Sequence, residues 1–233
     1  MLKPYLYETH LHTYPVSRCA RAGVRENLEY YKKIGYAGVF ITNHFIDGNL
    51  NFDLTRPYEE QINFYFSDYE EALAIGREIG LAVFAGVESS YKGTDFLIYG
   101  LDKVWYLSHP EIVGMQRSKF LTLVAEAGAL VIQAHPFSEA AFIDHIRLFP
   151  RHVHGVEVYN GSRTDFQNAM AELYAKQYAL LPFAGSDNHL SYRQKLLGGM
   201  QSDTPILNEQ DFVTRVKSGE ITPFRLNLNE KNP

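Results

Sequence analysis

Residues 8–13, Glu8-Thr9-His10-Leu11-His12-Thr13, end the first strand-like segment of the chain and place two imidazoles two residues apart. On an extended backbone, residues two apart face the same side, so His10 and His12 can approach one point in space. Two neutral imidazoles directed at one point usually bind a metal ion. Taken alone the pair is a weak signal, because histidines also lie two apart on solvated strand ends.

Four later strand-like segments also end in residues that can bind a metal. Their ends are Thr42-Asn43-His44, Gly86-Val87-Glu88, Ala134-His135-Pro136 and Gly185-Ser186-Asp187-Asn188-His189. Core packing does not explain why five apolar segments each finish in histidine, aspartate or glutamate. We therefore predict that these side chains meet at one site.

Strands and helices alternate along the sequence. The patterns predict strands at residues 4–9, 37–42, 81–87, 95–99, 129–133, 155–159 and 180–184, and helices at residues 24–34, 57–79, 118–127, 139–149, 165–178 and 210–217. This alternation indicates a parallel α/β arrangement. An α/β barrel builds its site from the carboxyl ends of several strands, whereas an open doubly wound sheet binds its ligand at one crevice. The number of strand ends that contribute candidate residues favours a closed barrel. Because no linker divides residues 1–233, we also predict a single domain.

The composition is that of a soluble globular protein. Hydrophobic residues make up 45% of the 233 positions, and the longest apolar runs are far too short to span a bilayer. No secretory signal is evident and the single cysteine suits a reducing compartment, so we expect a cytoplasmic protein without a membrane partner. The 22 basic and 27 acidic residues give a net charge of −5 without a basic cluster. This argues against a surface for long nucleic acid but leaves a nucleotide substrate open.

Four of the strand-end residues suffice for one divalent ion: His10, His12, Glu88 and Asp187. Imidazole and carboxylate ligands suit zinc, manganese or iron(II). His135 adds a donor for a second ion, with Glu88 as the bridge. Two ions a few ångströms apart can clamp the attacking and leaving oxygens of a phosphoryl displacement and generate hydroxide near neutral pH. We therefore expect two ions.

The complete set of motifs resembles the PHP (polymerase and histidinol phosphatase) family, in the family's order and over most of the chain. The resemblance implies a distorted TIM-like (β/α)7 barrel with one to three zinc, manganese or iron ions. It also implies hydrolysis of phosphate esters such as histidinol phosphate, nucleotides or nucleic-acid ends. The implied ligands are His10, His12, Glu88 and Asp187 for the first ion, Glu88 and His135 for the second, and His44 and His189 for part of a third site.

Three positions depart from the family's pattern. The first motif usually continues to an aspartate or histidine that serves the third ion, and the aligned residue here is Arg18, so we expect a weak or empty third site. The second motif usually reads Thr-Asp-His, and here Asn43 stands in the middle. Some members use a histidine at the end of the fourth strand for the second ion. This chain offers Asp102 there, with His109 further on, as candidate ligands.

The functional prediction is a metal-dependent phosphoesterase that hydrolyses a small phosphomonoester or a nucleotide by metal-bound hydroxide. Asp187 is a candidate base as well as a ligand, and Arg18 is a candidate catalytic residue that offsets the remaining charge on the phosphate. Arg18 and Arg163 each follow a strand that opens toward the site, where a guanidinium would bind phosphate bidentately, although both could equally be surface charges. Cys19 is predicted to be an inert thiol. Two alternatives stay open: a hydrolase of an amide or lactone on the same metal site, or a metal-binding module without catalysis.

Overall fold

The computed structural model describes residues 3–229, and all nine strands in this range belong to one sheet. The strands are β1 Tyr5–Leu11, β2 Gly38–Ile41, β3 Ala82–Tyr91, β4 Thr94–Tyr99, β5 Leu130–Ala134, β6 Gly155–Asn160, β7 Leu181–Gly185, β8 Leu196–Ser202 and β9 Thr222–Asn227. The helices are α1 Val24–Lys33, α2 Tyr58–Ile79, α3 Lys103–Ser108, α4 Arg117–Glu126, α5 Asp165–Tyr178 and α6 Glu209–Lys217, and 3₁₀ turns cover Pro110–Ile112 and Ser191–Arg193. None of the helices within residues 3–229 combines the length and the apolar character that a membrane crossing requires.

The sheet curls into a nearly closed barrel of seven strands, in the order β1 to β7. β1, β2 and β3 are parallel to one another, as are β5, β6 and β7. Backbone hydrogen bonds from His12 N to Asn188 O (3.0 Å) and from Asn188 N to His10 O (3.2 Å) join the loop after β7 to the end of β1. Gly185 permits this approach, because a Cβ there would lie 2.5 Å from the Cβ of His10. The predicted distorted α/β barrel is confirmed.

β4 runs antiparallel to both of its neighbours, which the alternation of the sequence does not predict. Lys92 and Gly93, both with positive φ, form a two-residue turn that joins β3 directly to β4. The reversal places the amino end of β4 beside the carboxyl ends of the other barrel strands. The site therefore receives residues from the start of β4 and not from its end.

Two further differences concern segments around the barrel. β8 and β9 pair antiparallel, with α6 between them in the chain, and extend the sheet beside the amino-terminal half of β1. The sequence pattern predicts neither strand, and Gly198 and Gly199 interrupt the period of β8. The predicted helix at residues 139–149 is wrong, and a loop occupies this segment. Its polar groups bond elsewhere: Arg147 donates to the carbonyl of Lys92 (2.7 Å), and its own carbonyl accepts from Gln133 (2.7 Å).

Aromatic side chains fill the barrel below the site. Tyr7, Phe40, Tyr99 and Phe183 are buried there, and Phe212 of α6 packs on Phe40 with ring centroids 4.4 Å apart. Each such burial contributes about 1.5–3 kcal/mol. α6 thereby closes the amino end of the barrel, and the packed interior supports the site from below.

Candidate metal centre

β1, β3 and the loop after β7 bring four side chains together at the carboxyl end of the barrel. Nε2 of His10 lies 3.1 Å from Glu88 Oε1 and 3.6 Å from Asp187 Oδ1, and Nε2 of His12 lies 3.4 Å from Glu88 Oε2 and 3.4 Å from Asp187 Oδ1. Two donors bound about 2.0–2.1 Å from one ion at tetrahedral angles are about 3.3 Å apart. The spacing of these four side chains therefore fits a single divalent ion.

Several donor atoms of this cluster are buried without a hydrogen-bond partner among residues 3–229. They are Nε2 of His10, Nε2 of His12, Nδ1 of His44 and Oε2 of Glu88. Nδ1 of His44 lies 2.6 Å from Oε2 of Glu88, but the two atoms are not oriented as a hydrogen bond. Buried polar atoms are normally hydrogen-bonded, and exceptions have specific causes. These unpaired nitrogen and oxygen atoms converge in one place, and this arrangement fits the binding of a metal ion.

Glu88 also belongs to a second group, with Asp95 and His135, whose ligand atoms lie within 4.8 Å of one another. Nε2 of His135 is 3.3 Å from Glu88 Oε1 and 3.8 Å from Asp95 Oδ2. Asp95 stands near the start of β4, and the reversal of that strand brings it here. Asp95 is not among the residues predicted from the sequence, because only the direction of β4 identifies it as a site residue.

Asp102 and His109 lie at the other end of the barrel, so the ligand roles expected for them are wrong. Asp102 follows the carboxyl end of β4 and caps α3 by accepting a hydrogen bond from the amide of Trp105 (2.8 Å). His109 stacks on Trp105, with ring centroids 4.1 Å apart. A separate cavity of about 430 Å³ opens beside Asp102. The antiparallel direction of β4 accounts for both errors.

His12, His44 and His189 form a third group, with ligand atoms within 4.8 Å of one another. The rings of His12 and His189 stack with centroids 4.1 Å apart. Sγ of Cys19 lies 3.1 Å from Nε2 of His189, and Cys19 lines a cavity together with His44 and His189. Burial would raise the pKa of the Cys19 thiol, but hydrogen bonds from His189 and His44 lower this pKa to about 6. Cys19 is therefore a site residue with thiolate character, and the prediction of an inert thiol is wrong.

Arg18 points away from this cluster, so the catalytic and substrate-binding roles expected for it are wrong. Its side chain is exposed and lines a different cavity, together with Asp53 and Glu60. The amide of Arg18 donates to the carbonyl of Asn49 (3.0 Å), and Nη2 of its guanidinium donates to the carbonyl of Leu50 (3.4 Å). The next residue, Cys19, faces the cluster instead.

Arg163, in the loop after β6, reaches the site as expected. Its Nη2 donates to Oδ2 of Asp187 (2.8 Å), and its buried Nε has no partner in the described part of the chain. Arg163 lines a cavity of about 450 Å³ that opens onto the three groups. Apolar residues of the loop after β5, among them Phe142 and Ile143, line this cavity as well. The cavity thus combines a polar floor, a cation and an apolar rim.

Two further side chains orient the imidazoles. Nδ1 of His10 is 2.9 Å from Glu157 Oε1, and Nδ1 of His12 is 3.1 Å from Ser17 Oγ. An Nδ1–H donated to these oxygens leaves the Nε2 lone pair of each ring free for an ion. Glu157 is fully buried in β6, and it is not among the residues predicted from the sequence. A carboxylate inside the otherwise apolar strand is the signal that could have identified it.

Asn43, the departure in the second motif, holds the loop after β1 in place. Its Oδ1 accepts from the amide of Thr13 (2.7 Å) and the hydroxyl of Ser17 (2.8 Å), and its Nδ2 donates to Asp68 (3.2 Å). Asp68 on α2 is buried and also accepts from the hydroxyl of Thr13 (2.6 Å). An aspartate at position 43 would set a second carboxylate against Asp68, so the amide matches its surroundings.

Burial and mutual charge set the protonation of the cluster. Burial would raise the pKa of the Glu88 carboxyl, but neighbouring imidazoles, above all that of His44, hold this pKa well below its ordinary value. Burial would lower the pKa of His10, but carboxylates, above all that of Glu157, raise it well above its ordinary value. Burial and two neighbouring imidazoles lower the pKa of His12 well below its ordinary value. An imidazole must be neutral to bind a divalent ion, so binding of an ion would favour the neutral form of both histidines.

Two of the site residues adopt backbone conformations that are uncommon outside glycine. His135 has a φ of 23° and Asp187 a φ of 53°. Such conformations concentrate at functional sites, where the surrounding structure holds them in place. His135 follows β5 directly and Asp187 lies two residues after the end of β7, in each case where the chain turns out of the sheet.

No protein-family model matches the sequence, and a search of curated proteins finds none of similar sequence. Solved structures do match. A two-domain protein from Bacteroides vulgatus that contains a predicted PHP-like metal-dependent phosphoesterase aligns with a TM-score of 0.66 at 12% identity, over 95% of this chain. The fold is that of the PHP-like phosphoesterases. This chain spans 65% of the length of the two-domain protein.

Two other solved structures resemble this chain. PsfC from Pseudomonas syringae aligns with a TM-score of 0.59 at 16% identity, over 96% of this chain and 92% of that chain. An amidohydrolase from Chromobacterium violaceum, with bound sulfate and no metal, aligns with a TM-score of 0.54 at 15% identity, over 92% of this chain and 96% of that chain. At these identities the similarity establishes the fold, and the chemistry has to be argued from the site.

Proposed function

We propose that this protein is a metal-dependent hydrolase of small phosphomonoesters, nucleotides included, with two divalent ions at the carboxyl end of the barrel. His10, His12, Glu88 and Asp187 would hold the first ion, and Glu88, Asp95 and His135 the second. The observation that carries the proposal is the convergence of buried donor atoms that have no hydrogen-bond partner anywhere in residues 3–229. A PHP-like phosphoesterase of the same fold supports it.

The chain's own residues bind and orient the substrate in this proposal. Bound ions would supply Lewis acidity and a water of lowered pKa. Arg163 is a cation at the cavity, and its unpaired Nε–H can donate to a phosphate oxygen. Asp187 has Oδ2 engaged by Arg163 and Oδ1 among the imidazoles, so we assign it as a ligand, and its role as a base stays a prediction.

The apolar rim would contact the organic part of the substrate. Phe142 is 80% exposed although it lines the cavity together with Ala140 and Ile143. A ligand that covers this ring would bury apolar surface that the free protein leaves in water. The cavity of about 450 Å³ has the size of a site for a nucleotide or an aryl phosphate.

A substrate panel with metal-reconstituted protein tests the proposal. Chelator-treated protein is loaded separately with Zn²⁺, Mn²⁺ or Fe²⁺ and assayed with an aryl phosphate, nucleoside monophosphates, an amide and a lactone. We expect phosphomonoester hydrolysis that chelation abolishes. Glu88→Gln should lose activity together with metal, because this carboxylate belongs to both ligand groups. Asp102→Asn, at the other end of the barrel, is the matched control and should keep both.

Hydrolysis of an amide or lactone is the second candidate, because an amidohydrolase shares the fold. Turnover of the amide or lactone without any phosphomonoester turnover would replace the first proposal with this one. Full metal occupancy without turnover of any substrate would indicate a metal-binding module that lacks catalysis.

A further inference from the structure

We propose that Cys19 is a metal ligand, and that its thiolate forms a third ion site with His44 and His189. The inference builds on the proposed metal-dependent function. It concerns which atoms bind ions, however, and it can be tested without any measurement of turnover. It replaces the sequence-based expectation that Arg18 leaves the third site weak or empty.

The thiol of Cys19 contacts one of the two histidines and lines the same cavity as the other. Its Sγ is 3.1 Å from Nε2 of His189, and His44 lines the cavity beside them. Zinc binds sulfur at about 2.3 Å and imidazole nitrogen at about 2.0–2.1 Å, which at a tetrahedral angle puts the two donors about 3.6 Å apart. Loading an ion would therefore require Sγ and Nε2 to separate by about 0.5 Å. That is a side-chain adjustment and needs no rearrangement of the fold.

The unpaired Nδ1 of His44 is a separate sign that a ligand belongs here. This buried atom has no hydrogen-bond partner among residues 3–229, and His44 is a ligand of neither the first nor the second proposed ion. Ring nitrogens of His12, His44 and His189 lie within 4.8 Å of one another. The first ion would bind Nε2 of His12, whereas the contact between Cys19 and His189 leaves Nδ1 of His44 unpaired. A cation beside His44 would satisfy this atom.

The loop that carries Cys19 is tied to both histidine-bearing segments. The amide of Arg21 donates to the carbonyl of His189 (2.8 Å), and the amide of His44 donates to Oγ of Ser17 (3.0 Å). These bonds flank Cys19 on both sides in the sequence. The backbone therefore holds the thiol next to its partners before any ion binds, as a ligand site requires.

A site of two nitrogens and one sulfur has a definite metal preference. Thiolate is a soft ligand and favours zinc, cobalt(II) or iron(II) over manganese or magnesium. Three protein ligands leave a fourth position open, as in zinc sites that also bind water or substrate. One ion of the protein should therefore resist exchange for manganese, whereas the group of Glu88, Asp95 and His135, with two carboxylates, should exchange more readily.

The single cysteine of the chain makes the test specific, because every sulfur signal reports Cys19. Chelator-treated protein is reconstituted with cobalt(II), and elemental analysis is run beside near-ultraviolet absorption and the rate of iodoacetamide alkylation. We expect a sulfur-to-cobalt charge-transfer band and an alkylation rate that falls at least about tenfold on loading, since the free thiolate is the nucleophile. Cys19→Ser and Cys19→Ala should lose the band and one ion per chain.

Two further variants separate ligation from folding. His189→Ala keeps the thiol but should lose the same ion and the protection from alkylation. Arg18→Ala, with its exposed side chain next in sequence, is the matched control and should keep the ion and the band. Circular dichroism of each variant checks the fold. Equal metal content in the parent and Cys19→Ala, with alkylation unaffected by cobalt, would overturn the proposal. A sulfur band without turnover would instead refute only the proposed function, and turnover without the band would refute only the role of Cys19.

Discussion

Replacing Arg163 with alanine should weaken substrate binding and leave the ions in place. The guanidinium contacts Asp187 at 2.8 Å and keeps its Nε unpaired with respect to residues 3–229. A hydrogen bond between charged groups contributes about 1.5–3 kcal/mol. Because the Arg163 side chain is 29% exposed, water screens the interaction and we take the lower half of that range. A loss of about 1.5–2 kcal/mol corresponds to a rise in KM of about ten- to thirtyfold.

Steady-state kinetics with the best phosphomonoester, run beside elemental analysis, measures this effect. Arg18→Ala is the matched control, because it removes the same group from an exposed side chain at a different cavity, and its KM should stay within about twofold. Arg163→Lys keeps the charge but loses the planar fork, so its KM should fall between those of the parent and Arg163→Ala. An unchanged KM in Arg163→Ala, or an equal rise in Arg18→Ala, would refute the assignment. Loss of metal in Arg163→Ala would show that Arg163 acts through Asp187 instead.

Three other outcomes are expected. Glu157→Gln should weaken metal affinity about 10- to 100-fold in a chelator competition, because Glu157 orients His10, and an unchanged affinity would contradict that role. Asp95→Asn should lower the metal content of the protein, whereas Asp102→Asn should not. The reverse result would show that Asp102 is the ligand, as the sequence predicts, and that Asp95 is not. Burial and nearby Lys217 lower the pKa of His154 below its ordinary 6.5. Protonation of His154 therefore favours the unfolded chain, and the folded chain loses stability as the pH falls through the lowered pKa. Urea unfolding at about pH 7.5 and 5 should thus show a smaller pH dependence for His154→Gln than for the parent, and equal slopes would contradict this.

The alternation of elements and the residues at the strand ends are local properties, and the sequence alone reveals them. A parallel strand carries the residues that follow it to the carboxyl end of the barrel, so His10, His12, Glu88 and Asp187 must meet once the strands are parallel and neighbouring. α5, at Asp165–Tyr178, matches its predicted bounds because its start is encoded locally by the capping box of Thr164 and Gln167. In each case a few consecutive residues contain all the information that the prediction needs.

The direction of β4 and the orientation of two side chains depend on the tertiary structure. A strand has the same side-chain period in either direction, so the pattern of residues 94–99 cannot tell whether Asp95 or Asp102 lies at the site. Arg18 and Cys19 are adjacent in one loop, and only the backbone contacts of that loop with Asn49 and His189 select which of them faces the histidines. Glu157 acts by contacting His10 across the barrel, a pairing of residues 147 positions apart. Such long-range contacts form only when the barrel closes, which is why local sequence does not report them.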